Sequence, residues 1–176
     1  MQAAIEQLII KLGHTLSQKQ LKLATAESCT GGGLSYCLTS VPGSSAWFEC
    51  GFVTYSNAAK VTLLNIDIAT LEAYGAVSAE TAAAMAAGAL QQSAAQISIA
   101  ITGIAGPDGG TKEKPVGTIW IAWEKKEKNA ERIQEKHIQH APQNEIQTEH
   151  FIFSGTRQEI REKTIIAAIE KLLVWV

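Results

Sequence analysis

The stretch Leu21-Lys-Leu-Ala-Thr-Ala-Glu-Ser-Cys-Thr-Gly-Gly-Gly-Leu-Ser-Tyr-Cys-Leu38 decides how this chain folds. Residues 21–26 predict a short strand. Three glycines at 31–33 predict a turn, and Leu34 to Leu38 predict a helix. This strand–turn–helix unit sets the Ser28 hydroxyl at the junction, with bare backbone N–H groups just beyond it in the Cys29 to Gly33 turn. Three uses fit that layout. Ser28 is a nucleophile whose oxyanion is met by the N–H groups of Cys29, Thr30, Gly31 and Gly32. Or the glycines cradle a phosphate. Or Ser28 or Thr30 simply caps a helix and the glycines allow close packing. The run is not a GxSxG elbow, and no P-loop lysine follows the glycines.

Strands and helices alternate outward from this unit. Ile5, Leu8, Ile9, Leu12 and Leu16 fall on one helical face ahead of it. Val41-Pro-Gly43 ends the helix that follows it. Phe48 to Tyr55 predicts a strand, and Ser56 an N-cap for a helix over 57–64. A short helix spans 68–74 and stops at Gly75. Ser78 caps the next helix, where Ala82, Ala86 and Ala89 form a small-residue face suited to packing on a sheet. Ile97, Ile99 and Ile101 alternate with Ser98, Ala100 and Thr102 in a strand, and a glycine-rich loop runs to Gly110. Val116 to Trp123 predicts another strand, and the charged residues 124–131 an exposed turn. Two further strands are expected, at 132–139 and 147–153. A last helix over 156–174 opens with a Thr156/Glu159 capping box. The pattern predicts an α/β fold, a three-layer α/β/α sandwich with a mixed central sheet, over a single domain spanning 1–176.

Composition narrows the function. The 176 residues are 46% hydrophobic and 18% charged, with a net charge of −2. Neither a nucleic-acid nor an anionic membrane surface is expected as partner. No apolar run approaches the ~20 residues of a membrane helix, and no secretion signal is expected at the N-terminus. Cys29, Cys37 and Cys50 are odd in number and lack metal-ligand spacing, so reduced thiols in a cytoplasmic protein are expected, with no metal site. None of His14, His137, His140 and His150 sits at ligand spacing, and none offers itself as the base for a serine.

Three further constellations carry chemistry. In Tyr55-Ser-Asn-Ala-Ala-Lys60, the Ser56 cap places Lys60 early in a helix, where the dipole opposes a positive charge. Lys60 is either an ordinary surface lysine or a base. A lysine near pKa 10.4 needs a downward shift of roughly 2.5–3.5 units to serve as a base at neutral pH. The dipole supplies about 1 kcal/mol or less, so burial or a second cation must supply the rest. Tyr55 is either a core aromatic or a proton relay to that pair. The Thr102 to Gly110 loop follows a central strand, the place where open α/β sheets bind ligands. Arg157 and Arg161 share one face of the last helix. They form either an anion site or surface pairs with Glu159 and Glu162.

Together these segments resemble the CinA C-terminal-domain family. The matching stretches are Ala26-Glu-Ser-Cys-Thr-Gly-Gly32, Val41-Pro-Gly-Ser-Ser45, Gly51-Phe-Val-Thr-Tyr-Ser-Asn57 with Lys60, Gly75-Ala-Val-Ser78, Thr102 to Gly110 with Lys114-Pro-Val-Gly117, and Arg157 with Arg161. The resemblance covers essentially the whole chain and is to the family's stand-alone form. It implies hydrolysis of the carboxamide of nicotinamide mononucleotide without metal or cofactor. The nucleophile falls on Ser28, the base on Lys60, and Tyr55 supports them. Thr102, Gly103, Gly106, Asn57 and Arg157 fall on the substrate, with Arg157 toward its phosphate. A homodimer or larger homo-oligomer is also implied. Two departures stand out: a third glycine at Gly33, and a longer, more charged region at 125–150. The rivals are a pyridine-nucleotide-binding module without hydrolysis, and an interaction protein of competence or DNA repair.

Overall fold

A computed structural model describes residues 2–127 and 144–176. The elements run α1 (Gln2–Gln18), β1 (Leu23–Glu27), α2 (Gly33–Thr39), β2 (Phe48–Val53), α3 (Asn57–Leu64), α4 (Ile68–Tyr74), α5 (Ala79–Gln91), β3 (Ile97–Gly103), β4 (Thr118–Lys125), β5 (Glu145–Ile152) and α6 (Arg157–Trp175). The strand order is β2-β1-β3-β4-β5. β2, β1 and β3 run parallel, and β4 and β5 add on antiparallel. The sheet is therefore mixed, as the alternation of elements predicts. Among the described residues, no helix is long and apolar enough to cross a membrane.

One helical layer holds α1, α2 and α6. Their apolar faces meet Leu23, Ile97, Ile99, Ile101, Ile119, Ile121 and Trp123 of the sheet. The other layer holds α3, α4 and α5, which meet Ala24, Ala26, Ala100 and Ala122. The alternation in β3 thus separates two packed faces rather than core from solvent. Large isoleucines fill the α1/α6 side. Ser98, Ala100 and Thr102 are also buried, and Ser98 Oγ donates to the Ala86 carbonyl at 2.9 Å. The small face of β3 and the alanine face of α5 let helix and sheet approach closely. Gly88 continues this, because a Cβ there would press on the Leu64 backbone of α3.

The predicted helix caps form. Ser56, Ser78 and Thr156 each accept a backbone N–H in the first turn of the helix they open, and Thr156 and Glu159 complete the capping box. One expectation is corrected. The charged stretch at 124–131 does not begin as an exposed turn. β4 continues through Lys125, paired with Ile97 on one side and Glu145 on the other. Glu124 is buried there and accepts a hydrogen bond from Asn144 Nδ2 at 2.7 Å. Ladder pairing on both edges outweighs the local charge. The strand expected at 132–139, with His137 and His140, lies outside the described residues.

Candidate active site

The three parallel strands end side by side, and the predicted site residues sit on the connections that follow them. Ser28 follows β1, Tyr55 and Lys60 follow β2, and Thr102 and Gly103 end β3 and lead into the loop that runs to Gly110. A cleft of about 290 Å³ opens there. Ser28, Cys29, Tyr55, Lys60, Thr102, Gly103, Gly106 and Arg157 all line it. A second cavity, of about 230 Å³, lies between α1 and the Val41–Trp47 segment and contains none of these residues.

Lys60 is 1% exposed. Its Nζ lies 3.1 Å from Ser28 Oγ and 2.9 Å from the Thr54 carbonyl oxygen. Among the described residues, no carboxylate pairs with it. Burial pushes its pKa below the ordinary lysine value, with Cys29 pulling weakly the other way. That opposing pull needs a thiolate, and burial pushes the Cys29 thiol up to about 12 despite Arg161 and Arg157 nearby. Cys29 therefore stays protonated at neutral pH and leaves Lys60 without a counter-charge. Of the two routes to a lowered lysine pKa, burial is the one the fold uses. Nζ donates to both oxygens; once deprotonated, the amine keeps an N–H for Thr54 and has a lone pair to offer the Ser28 hydroxyl. The same shift removes Cys29 as a rival nucleophile, because the thiolate is the reactive form.

The turn after Ser28 is held by its own backbone. Gly31 and Gly32 adopt φ of +59° and +89°, conformations that only glycine reaches readily. The Gly31 N–H donates to the Ser28 carbonyl and that of Gly33 to Thr30. Gly31 therefore shapes the turn and has no N–H left for an oxyanion. Among the described residues, the N–H groups of Cys29, Thr30 and Gly32 have no backbone acceptor. The α2 N-terminus is also occupied, by the Glu27 carboxylate, which accepts from Leu34 and Ser35 N–H. Glu27 therefore occupies the two helix N–H groups, Leu34 and Ser35, that a phosphate at this end would otherwise use.

Other residues depart from expectation. Tyr55 lines the cleft, but its hydroxyl accepts from Arg157 Nη2 at 2.9 Å and makes no hydrogen bond to Ser28 or Lys60. The core-aromatic alternative is corrected, because the ring is exposed and leaves the end of β2 toward Arg157 on α6. Asn57 is exposed at the first position of α3 and does not line the cleft. Thr102 Oγ1 donates to the Ala76 carbonyl at 2.6 Å and so ties β3 to the segment before α5. Arg157 Nη1 donates to the Gly106 carbonyl at 2.7 Å, and Arg161 donates to the Thr30 carbonyl. Neither arginine pairs with Glu159 or Glu162. Both face the site.

Sequence reasoning missed Thr54 and Glu27. Thr54 carries no motif of its own, and its role rests on a backbone carbonyl. Glu27 had a signal: a lone acid in an apolar strand, followed by a helix whose N-cap position is glycine and so carries no capping side chain.

The family model described as the CinA C-terminal domain matches residues 5–149. The chain belongs to this family. It is similar to a nicotinamide-nucleotide amidohydrolase PncC from Pseudomonas putida, at 42% identity over 96% of this chain and 95% of that one. It is similar to the protein of the same name from Escherichia coli K12, at 40% identity over 94% of this chain and 91% of that one. A CinA-like protein from Chlorobaculum tepidum is 43% identical over 98% of this chain, which spans 37% of its length. Among solved structures, the competence/damage-inducible protein CihA from Agrobacterium tumefaciens superposes with a TM-score of 0.85 at 38% identity. That match covers 97% of this chain and 94% of the other. The CinA-family fold expected from the motifs is the fold found.

Proposed function

We propose that this protein is an amidase that hydrolyses the carboxamide of nicotinamide mononucleotide, giving nicotinate mononucleotide and ammonia. The class of reaction rests on the full-length similarity to amidohydrolases named for nicotinamide nucleotides. The observation that carries the mechanism is the buried Lys60, with no counter-charge, 3.1 Å from Ser28 Oγ.

In this mechanism neutral Lys60 takes the Ser28 proton as Oγ bonds to the amide carbon. The oxyanion is met by backbone N–H groups of the turn, with Cys29, Thr30 and Gly32 available. The Lys60 ammonium passes its proton to the departing nitrogen, and ammonia leaves an ester on Ser28. Lys60, neutral again, takes a proton from water as the hydroxyl attacks that ester. The acid is released and the Ser28 proton restored. Arg157 receives the substrate phosphate at the cleft rim, giving up its contact with Tyr55 or Gly106 to do so.

Ammonia release from nicotinamide mononucleotide tests this reading. Ser28→Ala and Lys60→Ala should each fall below about 1% of the parent turnover. Either variant above that level would overturn the assignment. Tight binding of the nucleotide by the parent chain, with no ammonia formed over hours, would instead mark a binding module.

A further inference from the structure

We infer that Glu27 is the positioning residue of the nucleophile, holding the Ser28 turn at both ends. The inference rests on the proposed role of Ser28. Glu27 is the last residue of β1 and is fully buried. Its carboxylate spans the turn to α2. Oε2 accepts from the Leu34 N–H at 2.9 Å, and Oε1 accepts from the Ser35 N–H at 2.8 Å and from Ser35 Oγ at 2.6 Å. Leu34 and Ser35 are the second and third residues of α2, the positions a helix cap ordinarily serves. The cap position itself is Gly32, at φ +89°, without a side chain to do so. Glu27 therefore caps α2 from the residue before the nucleophile. The turn from Ser28 to Gly32 is closed covalently at one end and by this carboxylate at the other.

The same residue reaches the base. The Glu27 carbonyl accepts from the Thr54 N–H at 2.8 Å, and the Thr54 carbonyl accepts from Lys60 Nζ. Ser28 and Lys60 are thus both indexed to Glu27, one through its side chain and one through its main chain. Arg161 holds the outer side of the turn through the Thr30 carbonyl. Three donors converge on the two carboxylate oxygens, which offer only acceptors in return. Glutamine would turn an NH₂ toward a donor. Aspartate is one methylene too short to span the turn.

Kinetics of ammonia release, paired with thermal melting, test this role. Glu27→Gln should lower kcat about 30- to 100-fold with KM within about threefold, because a nucleophile displaced by a fraction of an ångström loses rate rather than binding. Ser35→Ala, which removes one of the three donors, should lower kcat about three- to tenfold. Leu172→Ala, a buried core change on α6, serves as the stability control. It should depress Tm at least as far as Glu27→Gln while keeping kcat, when assayed well below its melting point. The inference is overturned if soluble Glu27→Gln keeps kcat within twofold, or if Leu172→Ala loses kcat in the same proportion. Should Glu27→Gln fail to fold, Ser35→Ala decides, and an unchanged kcat there overturns it. Ser28→Ala run alongside separates the two ideas. If that variant stays active, the assignment of Ser28 as nucleophile fails, and the positioning role with it. If it is dead while the Glu27 and Ser35 variants run at the parent rate, only the positioning role fails.

Discussion

Tyr55 and Arg157, 102 residues apart, meet through a 2.9 Å hydrogen bond from Nη2 to the phenol oxygen. This contact brings the end of β2 to the start of α6 at the cleft rim and gives Tyr55 a partner other than the Ser28–Lys60 pair. Tyr55→Phe should therefore keep kcat within about threefold, whereas loss of a true proton relay costs 10²-fold or more. Arg157→Ala should raise KM for the mononucleotide about 10- to 100-fold, and Arg157→Lys should recover only part of it, because the planar fork is lost. Steady-state kinetics on the three variants check both statements. A hundredfold fall in kcat for Tyr55→Phe would restore the relay.

Lys60 makes stability depend on pH in a defined direction. Its folded pKa lies below the unfolded value near 10.5. Between the two the unfolded chain holds a proton that the folded chain has released, so stability rises with pH across that window. Below the folded pKa the fold carries the full cost of the buried charge. Lys60→Met has no such dependence. The difference in Tm between variant and parent should favour the variant more at pH 7 than at pH 10. Melting curves at the two pH values measure it, and a difference independent of pH would mean the lysine is charged in both states or neither. In the parent, kcat/KM should climb with pH as Lys60 loses its proton and level off below the ordinary lysine range.

Cys29 lines the same cleft as Ser28, yet with a pKa of about 12 its thiolate fraction at pH 8 is about 10⁻⁴. Iodoacetamide at pH 8 should leave ammonia release intact, and Cys29→Ala should keep at least about a third of kcat, since only the backbone N–H is asked to act. Mass spectrometry of the alkylated protein, with the residual rate, checks this. Rapid inactivation that tracks Cys29 labelling would make the thiol a participant.

Gly117 lies in the turn before β4 at φ +94°, where a Cβ would run into the Phe153 backbone. Gly117→Ala should cost about 3 kcal/mol or more, through strain and steric conflict together. Chemical denaturation measures the loss. At 10 °C the folded fraction should still release ammonia at the parent rate per active site, because Gly117 does not line the cleft.

The legible parts of the sequence were those where a local rule and the fold agree. Ser56, Ser78 and Thr156 announce helices because a cap acts within one turn, and all three cap as expected. Lys60 was conspicuous because a cation early in a helix opposes the dipole. Its burial comes from packing between distant segments and leaves no trace in its neighbours. Glu27 was hidden because its acceptor role skips seven and eight residues across a turn. The Tyr55 contact with Arg157 is not legible because strand position does not say which way an exposed ring leaves the sheet. Glu124 was misread because charge predicts solvent only where no neighbouring strand claims the backbone.

Every residue of β1 is buried, and β1 is bonded along both edges by parallel partners. In terms of local opening, such a strand exchanges its amide protons only when the whole domain unfolds, whereas a rim held by exposed side chains opens far more often. Ser28 therefore hangs from a buried central strand, and Arg157 and Tyr55 from an exposed rim. Warming should first loosen the grip on the far end of the substrate, while the attacking oxygen keeps its station until the fold itself gives way.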